Sequence, residues 1–404
     1  MHHTEVTGWW YERGHEDDPW RTVEDPSAVG APSLPAARPA AIHRHYDTSR
    51  SWLRTEDDFP GPRTMQAAAR WLRDTAGRHD RSLLFVDEFD PHEPFDTPEP
   101  WASRYDDSWE GPRLIWPPYV WASRPPGKGP LAQTPSDERE ARQLRADYGA
   151  KVSMIDHWFG RVLDELDARH AWDDTVVIVT TDHGHYLGEH GNWGKPASPV
   201  FGTLGHIPLL VSWPGVAARD VDALTTSVDV FATLTEVFGV TPEHRTHGRS
   251  LVPLVDGSAT SVRDWVLTGV WGREVHVVTD AVRYAAAPVG DNAPLSMWSN
   301  RWSTMPVHAF PQLRLPRPDG RAVLASMPGS DVPVIRQPFV AGDLLPFWAA
   351  SGFEGNHCYD RREDPVEARN AAGGRLEADA RERLRAALVE VEAPDDQFVR
   401  LGLV

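Results

Sequence analysis

Apolar positions along the chain fall into two spacings, and the switches between them predict the order of elements. Residues 1–63 follow neither spacing; they are rich in Pro, Trp, Arg and His and read as a long irregular segment lying over a surface. Met65, Ala68, Ala69, Leu72 and Ala76 then recur at helical spacing before Gly77, which predicts an amphipathic helix with a stop. SLLFVD at 82–87 is an apolar run of strand length, and a Pro- and Trp-rich loop covers roughly 91–135. A long helix is predicted from Ser136, because Ala141, Leu144, Tyr148, Val152, Ile155, Phe159, Leu163 and Leu166 keep to one face. TVVIVTTD (175–182) and HIPLLVSW (206–213) read as strands, the second ended by Pro214-Gly215. Val228, Phe231, Leu234 and Phe238 form a further helical stripe between Ser227 as cap and Gly239 as stop.

Strands without in-out alternation, separated by amphipathic helices, describe a parallel sheet covered on both faces, hence an α/β fold. From about 262 onward the texture changes. WVLTGVW, EVHVVT and VRYAAA are short, closely spaced and partly alternating, which predicts a smaller antiparallel lobe, with a charged helix over 375–391. The expected domains are therefore 1–261, of which 1–63 is irregular, and 262–404.

Composition narrows the function classes. With 40% hydrophobic and 25% charged residues the chain is an ordinary globular one. Its 41 basic and 59 acidic residues leave a formal charge of −18, which argues against nucleic acid or an anionic membrane as partner and requires a local cluster to attract any anionic substrate. No apolar stretch has the length needed to cross a bilayer. The single cysteine, Cys358, excludes an internal disulfide and a thiolate metal cage, and leans towards a cytoplasmic location. The opening MHHTEVTGWWYERGHEDDPW lacks the basic-then-apolar pattern of a signal peptide and also reads unlike the start of a domain.

In open α/β sheets ligands collect beyond the carboxyl ends of strands. Two loops fit that rule: EFDPHEPF, which places Asp90 and His92 past the 82–87 run, and DHGHYLGEHGNWGK, which places Asp182 and His183 past the 175–182 run. If both strands run parallel, both loops open on one edge. Asp182 and His183 join an oxygen and a nitrogen donor on adjacent residues, with Gly184 permitting a sharp bend, so they read either as metal ligands or as a turn cap beside a polar pocket. Lys195 reads as an oxyanion contact or as a solvated surface charge. His92, set between Pro91 and Pro94, is either a positioned functional side chain or a buried imidazole bonding a carbonyl. His185, Glu189 and His190 read as loop-stabilising contacts rather than ligands. Trp101, Trp109, Trp116, Tyr119 and Trp121 are either a stacking cleft for a sugar or aryl group or a loop core.

Six segments in order, FVDEFDPHEPF, ADYGAKVSMIDHWFGRVLDEL, VVIVTTDHGHYLGEHGNWGKP, HIPLLVSWPG, HGRSLVPLVDG and CYDRREDPVEARN, resemble the sulfatases of the alkaline phosphatase superfamily, over about His79 to Asn370. The resemblance implies an alkaline phosphatase-like α/β fold, its mostly parallel sheet flanked by helices, with a smaller C-terminal antiparallel α+β lobe. It implies that Asp182 and His183 hold a divalent cation, calcium or, in the histidine-containing branch, manganese. It further implies that Lys195 contacts sulfate or phosphate oxygens and that His92 binds the ester group or assists its leaving oxygen. The chemistry implied is attack on sulfur by an activated nucleophile, with metal and lysine offsetting charge on the nonbridging oxygens.

One departure stands out. The family's C/S-x-P-S-R sequence, whose first residue becomes formylglycine, and the acidic strand end before it do not occur in this chain; Cys358 sits in CYDRREDP, the segment of the small lobe. The expectation is thus a sulfatase missing its first strand and nucleophile, with uncovered apolar surface, a weak cation site and little turnover. The leading function is a metal-dependent sulfuric ester hydrolase acting on a small-molecule sulfate or phosphate ester. The alternatives are a phosphonate monoester or phosphodiester hydrolase of the same superfamily, and a non-catalytic remnant that binds an anionic ligand or a partner chain.

Overall fold

Proline fixes φ at a helical value and forfeits no hydrogen bond in a first helical turn, so the Phe59-Pro60-Gly61-Pro62 sequence starts a helix ahead of the predicted stripe. The structure, a computed structural model, describes residues 6–16, 18–27, 40–111, 114–117, 137–195, 200–300, 318–340, 342–343, 345, 349 and 355–404. The chain divides into two compact units, Met1–Thr175 with Leu187–Gly194, and Val176–Tyr186 with Lys195–Val404. The expected change of texture near residue 262 falls inside the second unit.

The first unit is built on helices: α1 (Ala40–Arg50), α2 (Pro60–Thr75) and α3 (Glu138–Ala168). Asp137 caps α3, its carboxylate accepting the N–H groups of Arg139 and Glu140. Met65 and Ala68 of α2 pack against Met154, Trp158 and Val162 of α3, with Leu53 and Phe59 completing the core. The buried face of α3 is rotated from the predicted one. Val152 is 38% exposed, whereas Gln143, Asp147 and Lys151, spaced four apart, face inward. Gln143 Nε2 donates to Asp147 Oδ1 at 3.0 Å. SLLFVD, expected as a strand, is not one, and Leu83 and Phe85 within it are 56% and 79% exposed. An apolar run of strand length reports tolerance of extended backbone; a strand also needs a partner to hydrogen-bond.

In the second unit β1 (Val177–Thr180) pairs with β2 (Leu209–Ser212), Val177 opposite Ser212 and Thr180 opposite Leu209. The pairing is antiparallel, a correction to the parallel sheet expected for these runs. A continuous apolar run carries no information on direction, and here it is not covered on both faces either: Val179 is 37% and Leu210 61% exposed. Helix α4 (Val228–Phe238) follows the predicted stripe and stops at Gly239 in the left-handed region. Ser227 does not bond as a side-chain cap; Asp229 Oδ2 accepts the Thr226 N–H instead. Buried Asp229 also pairs with Arg263 and accepts the Arg249 N–H, which ties the HGRSL segment to α4.

The antiparallel lobe expected after residue 262 is present. β3 (Val266–Gly269), β4 (Val275–Val278), β5 (Val282–Ala286) and β9 (His357–Asp360) form one sheet in the order β9-β5-β4-β3. β6 (Leu295–Ser299), β7 (Val323–Ser326) and β8 (Pro333–Phe339) form another, with β8 in the middle. Helix α5 (Arg375–Glu390) lays Ala380, Leu384 and Leu388 on Val277, Tyr284 and Cys358. Cys358 is fully buried; desolvation, then the charges of Glu377 and Asp360, push its thiol up to about 11. Among the described residues no helix is long and apolar enough to cross a membrane.

Candidate functional site

In the second unit the chain leaves β1 at Thr180 and bends through Asp182, His183 and Gly184. The Gly184 N–H donates to the Leu204 carbonyl at 3.0 Å, and a Cβ at Gly184 would collide with the backbone oxygen of Thr203, so only glycine lets the strand end lie this close to its neighbour. Against that anchor, Asp182 Oδ1 accepts the His183 N–H at 2.8 Å. His183 Nδ1 lies 2.9 Å from the Gly184 carbonyl oxygen, which can only accept, so Nδ1 carries the proton and Nε2 the lone pair. Nε2 stands 3.5 Å from Asp182 Oδ2, and the two side chains are 44% and 81% exposed.

One imidazole nitrogen and one carboxylate oxygen converging at an exposed bend fit a divalent cation as two of its ligands. A third His, Cys, Asp or Glu donor does not join them among the described residues. Lys195 is half-buried and belongs to the same unit; residues 196–199 after it lie outside the described residues. His185 Nδ1 bonds the Tyr186 carbonyl at 3.0 Å.

In the first unit the His92 N–H closes a turn onto the Phe89 carbonyl at 3.0 Å, and its ring packs on Phe89 with centroids 4.2 Å apart. His92 Nδ1 donates to the Glu93 carbonyl at 2.8 Å, and the side chain is 25% exposed. Glu93 itself is buried. Donor atoms of Glu16, His92 and Glu93 all lie within 4.8 Å of one another, a second group with the chemistry to hold a metal ion. Glu16 escapes notice in the sequence because it lies in the irregular segment, where no periodicity marks it.

Asp90, in the same turn, is sealed off and ion-paired: Lys151 Nζ lies 2.9 Å from its Oδ1. Desolvation and then the negative charge of Asp90 raise the Glu88 carboxyl to about 8, against the pull of the Asp90 N–H, Lys151 and Thr64. Burial likewise lowers His15, which packs on Phe89 at 5.1 Å, to about 4. Of the aromatic cluster, Trp116 is buried against Tyr46 and Trp101 packs beside the core of α2 and α3, as loop-core residues do. Trp109 lies under the Arg139 guanidinium at 5.5 Å, and Tyr119 and Trp121 fall outside the described residues.

Comparison with known proteins follows the same segments. The Sulfatase family profile matches residues 58–240. The multifunctional alkaline phosphatase superfamily protein PehA of Trinickia caryophylli is 36% identical over 132 residues, which are 32% of this chain and 25% of that protein. Choline-sulfatase of Rhizobium meliloti is 35% identical over 123 residues, 30% of this chain and 24% of that one. Arylsulfatase K of Rattus norvegicus is 29% identical over 156 residues, 36% of this chain and 27% of that one. The chain thus matches about a quarter of the length of these curated relatives. The crystal structure of the phosphonate monoester hydrolase of Agrobacterium radiobacter superposes with a TM-score of 0.55 at 19% identity, over 90% of this chain and 64% of that one, and shows a shared alkaline phosphatase-like fold. Residues 58–240 of this chain are thus similar to the sulfatase family.

Proposed function

We propose that the chain is a metal-dependent sulfuric ester hydrolase component that recognises a small-molecule sulfate ester. The observation that carries this is the fixed tautomer and convergence of His183 Nε2 and Asp182 Oδ2 at 3.5 Å, within the segment matched by the family profile. These two side chains would hold the cation, calcium or manganese. Once bound, the cation supplies positive charge against the nonbridging oxygens of the ester. Lys195 is assigned to the same oxygens as a point charge. The family resemblance assigns His92, whose Nδ1 donates to the Glu93 carbonyl, a role in binding an ester group or assisting its leaving oxygen. The 404 residues contain no C/S-x-P-S-R sequence, so the chain alone is expected to bind cation and ester but to turn the ester over little.

Hydrolysis of a phosphonate monoester or phosphodiester is the second reading, favoured by the 36% identity to a relative named as multifunctional. The test is isothermal titration of the purified chain with Ca2+ and Mn2+, followed by rates on an aryl sulfate, a phosphonate monoester and a phosphodiester. Cation binding weakened by Asp182→Asn supports the site; binding unchanged in that variant overturns it. Brisk aryl sulfate turnover by the 404-residue chain overturns the expectation of low activity.

A further inference from the structure

The turn that carries His92 is held from behind by buried charges that the chemistry above does not use. Lys151, within α3, places its ammonium 2.9 Å from Asp90 Oδ1 and donates to the Asp96 carbonyl at 3.2 Å. Asp96 in turn accepts the Tyr46 hydroxyl at 2.7 Å and pairs with Arg50. The Asp90 N–H donates to Glu88 Oε1 at 3.0 Å, closing a link two residues before His92. Gly61, at the start of α2, seats both carboxylates, because a Cβ there would collide with Asp90 Oδ2 and come within 3.0 Å of Glu88 Oε1. Asp90 Oδ2 and Glu88 Oε2 are buried and have no hydrogen-bond partner among the described residues. Prolines at 60 and 62 leave few N–H donors at this helix start.

We propose that Lys151, Asp90 and Glu88 form a positioning centre for His92: the ammonium locks Asp90, Glu88 closes onto the Asp90 N–H, and the Asp90-Pro91-His92 turn thereby keeps the imidazole Nδ1–H on the Glu93 carbonyl. The functional weight of this centre rests on the role proposed above for His92. Its charge count is uneven. Two carboxylates face one ammonium; Tyr46 and the neutral His15 also interact with Asp90, and Arg63 and Asp18 act on His15 in turn. One carboxyl therefore keeps its proton, and burial beside Asp90 selects Glu88, up to about 8. Loss of that proton adds a second negative charge beside Asp90 and loosens the turn.

The test is histidine 15N NMR on the full chain with a chelator present, which reports the His92 tautomer and needs no turnover. The hydrolase reading can then fail while the positioning centre stands, and the reverse. Wild type is expected to show the Nδ1–H tautomer and a shift of the His92 signals near pH 8. Lys151→Met should mix the tautomers, Lys151→Arg should restore the single form, and Glu88→Gln should keep it while erasing the step near pH 8. A folded Lys151→Met variant with unchanged His92 signals overturns the proposal. So does a step that persists in Glu88→Gln, and that comparison decides alone if Lys151→Met does not fold.

Discussion

Lys151 Nζ and Asp90 Oδ1 lie 2.9 Å apart, with only 6% and 4% of the two side chains exposed, so a complete ion pair is enclosed within the first unit. Removing one member leaves the other charge dry and uncompensated. Lys151→Met is expected to cost about 3–5 kcal/mol in urea unfolding. The Lys151→Met/Asp90→Asn double variant should lose less than the sum of its singles, because the two groups are coupled.

Glu88 and His15 give the unit a pH signature. Folding raises Glu88 from an ordinary 4.5 to about 8 and lowers His15 from 6.5 to about 4. Between pH 6.5 and 8 the folded state alone keeps the Glu88 proton, so stability falls as pH rises, by about 1.4 kcal/mol per unit. From 4.5 to 6.5 the His15 proton held by the unfolded chain balances it, and the contribution is flat. Thermal unfolding across pH should show the alkaline decline, and Glu88→Gln should remove it.

Gly184→Ala should disturb the bend after β1, since its Cβ meets the Thr203 carbonyl oxygen, a backbone atom that cannot swing aside. A loss of about 1–3 kcal/mol is expected in thermal unfolding, together with weaker cation binding through displaced His183.

The two exposed donors proposed for the cation would make a shallow site. Asp182→Asn and His183→Ala should each weaken Mn2+ binding by about 10-fold or more, read by calorimetry. Their thermal stability without cation should stay within about 0.5 kcal/mol of wild type, because both side chains are exposed and neither fills a core.

Leu210 and Phe85 leave apolar surface in water, at 61% and 79% exposure. Leu210→Thr and Phe85→Ser should change stability by no more than about 0.5 kcal/mol while lowering light scattering on concentration.

Helices were the readable part of this chain because a helical stripe repeats over many turns. α2, α3 and α4 lie where their periodicity puts them, and Gly239 ends α4 as expected. The rotation of α3 was hidden by weighting apolar residues alone. Gln143, Asp147 and Lys151 mark the inward face just as well by their four-residue spacing, but a polar stripe reads first as a solvated one. Strand direction and the fate of SLLFVD were not readable, since both depend on which backbone pairs with which. Asp182 and His183 stood out as adjacent donors before a glycine, whereas Glu16 and Lys151 join their sites only through tertiary contact.

Cys358 ends up with its sulfur walled in by α5 and its thiol held protonated up to about 11. A thiol in that condition is a poor nucleophile toward maleimides and iodoacetamides at neutral pH. The native chain should therefore be silent to such reagents, so a cysteine introduced at any exposed position would accept a fluorophore or nitroxide there alone, without first removing the native one.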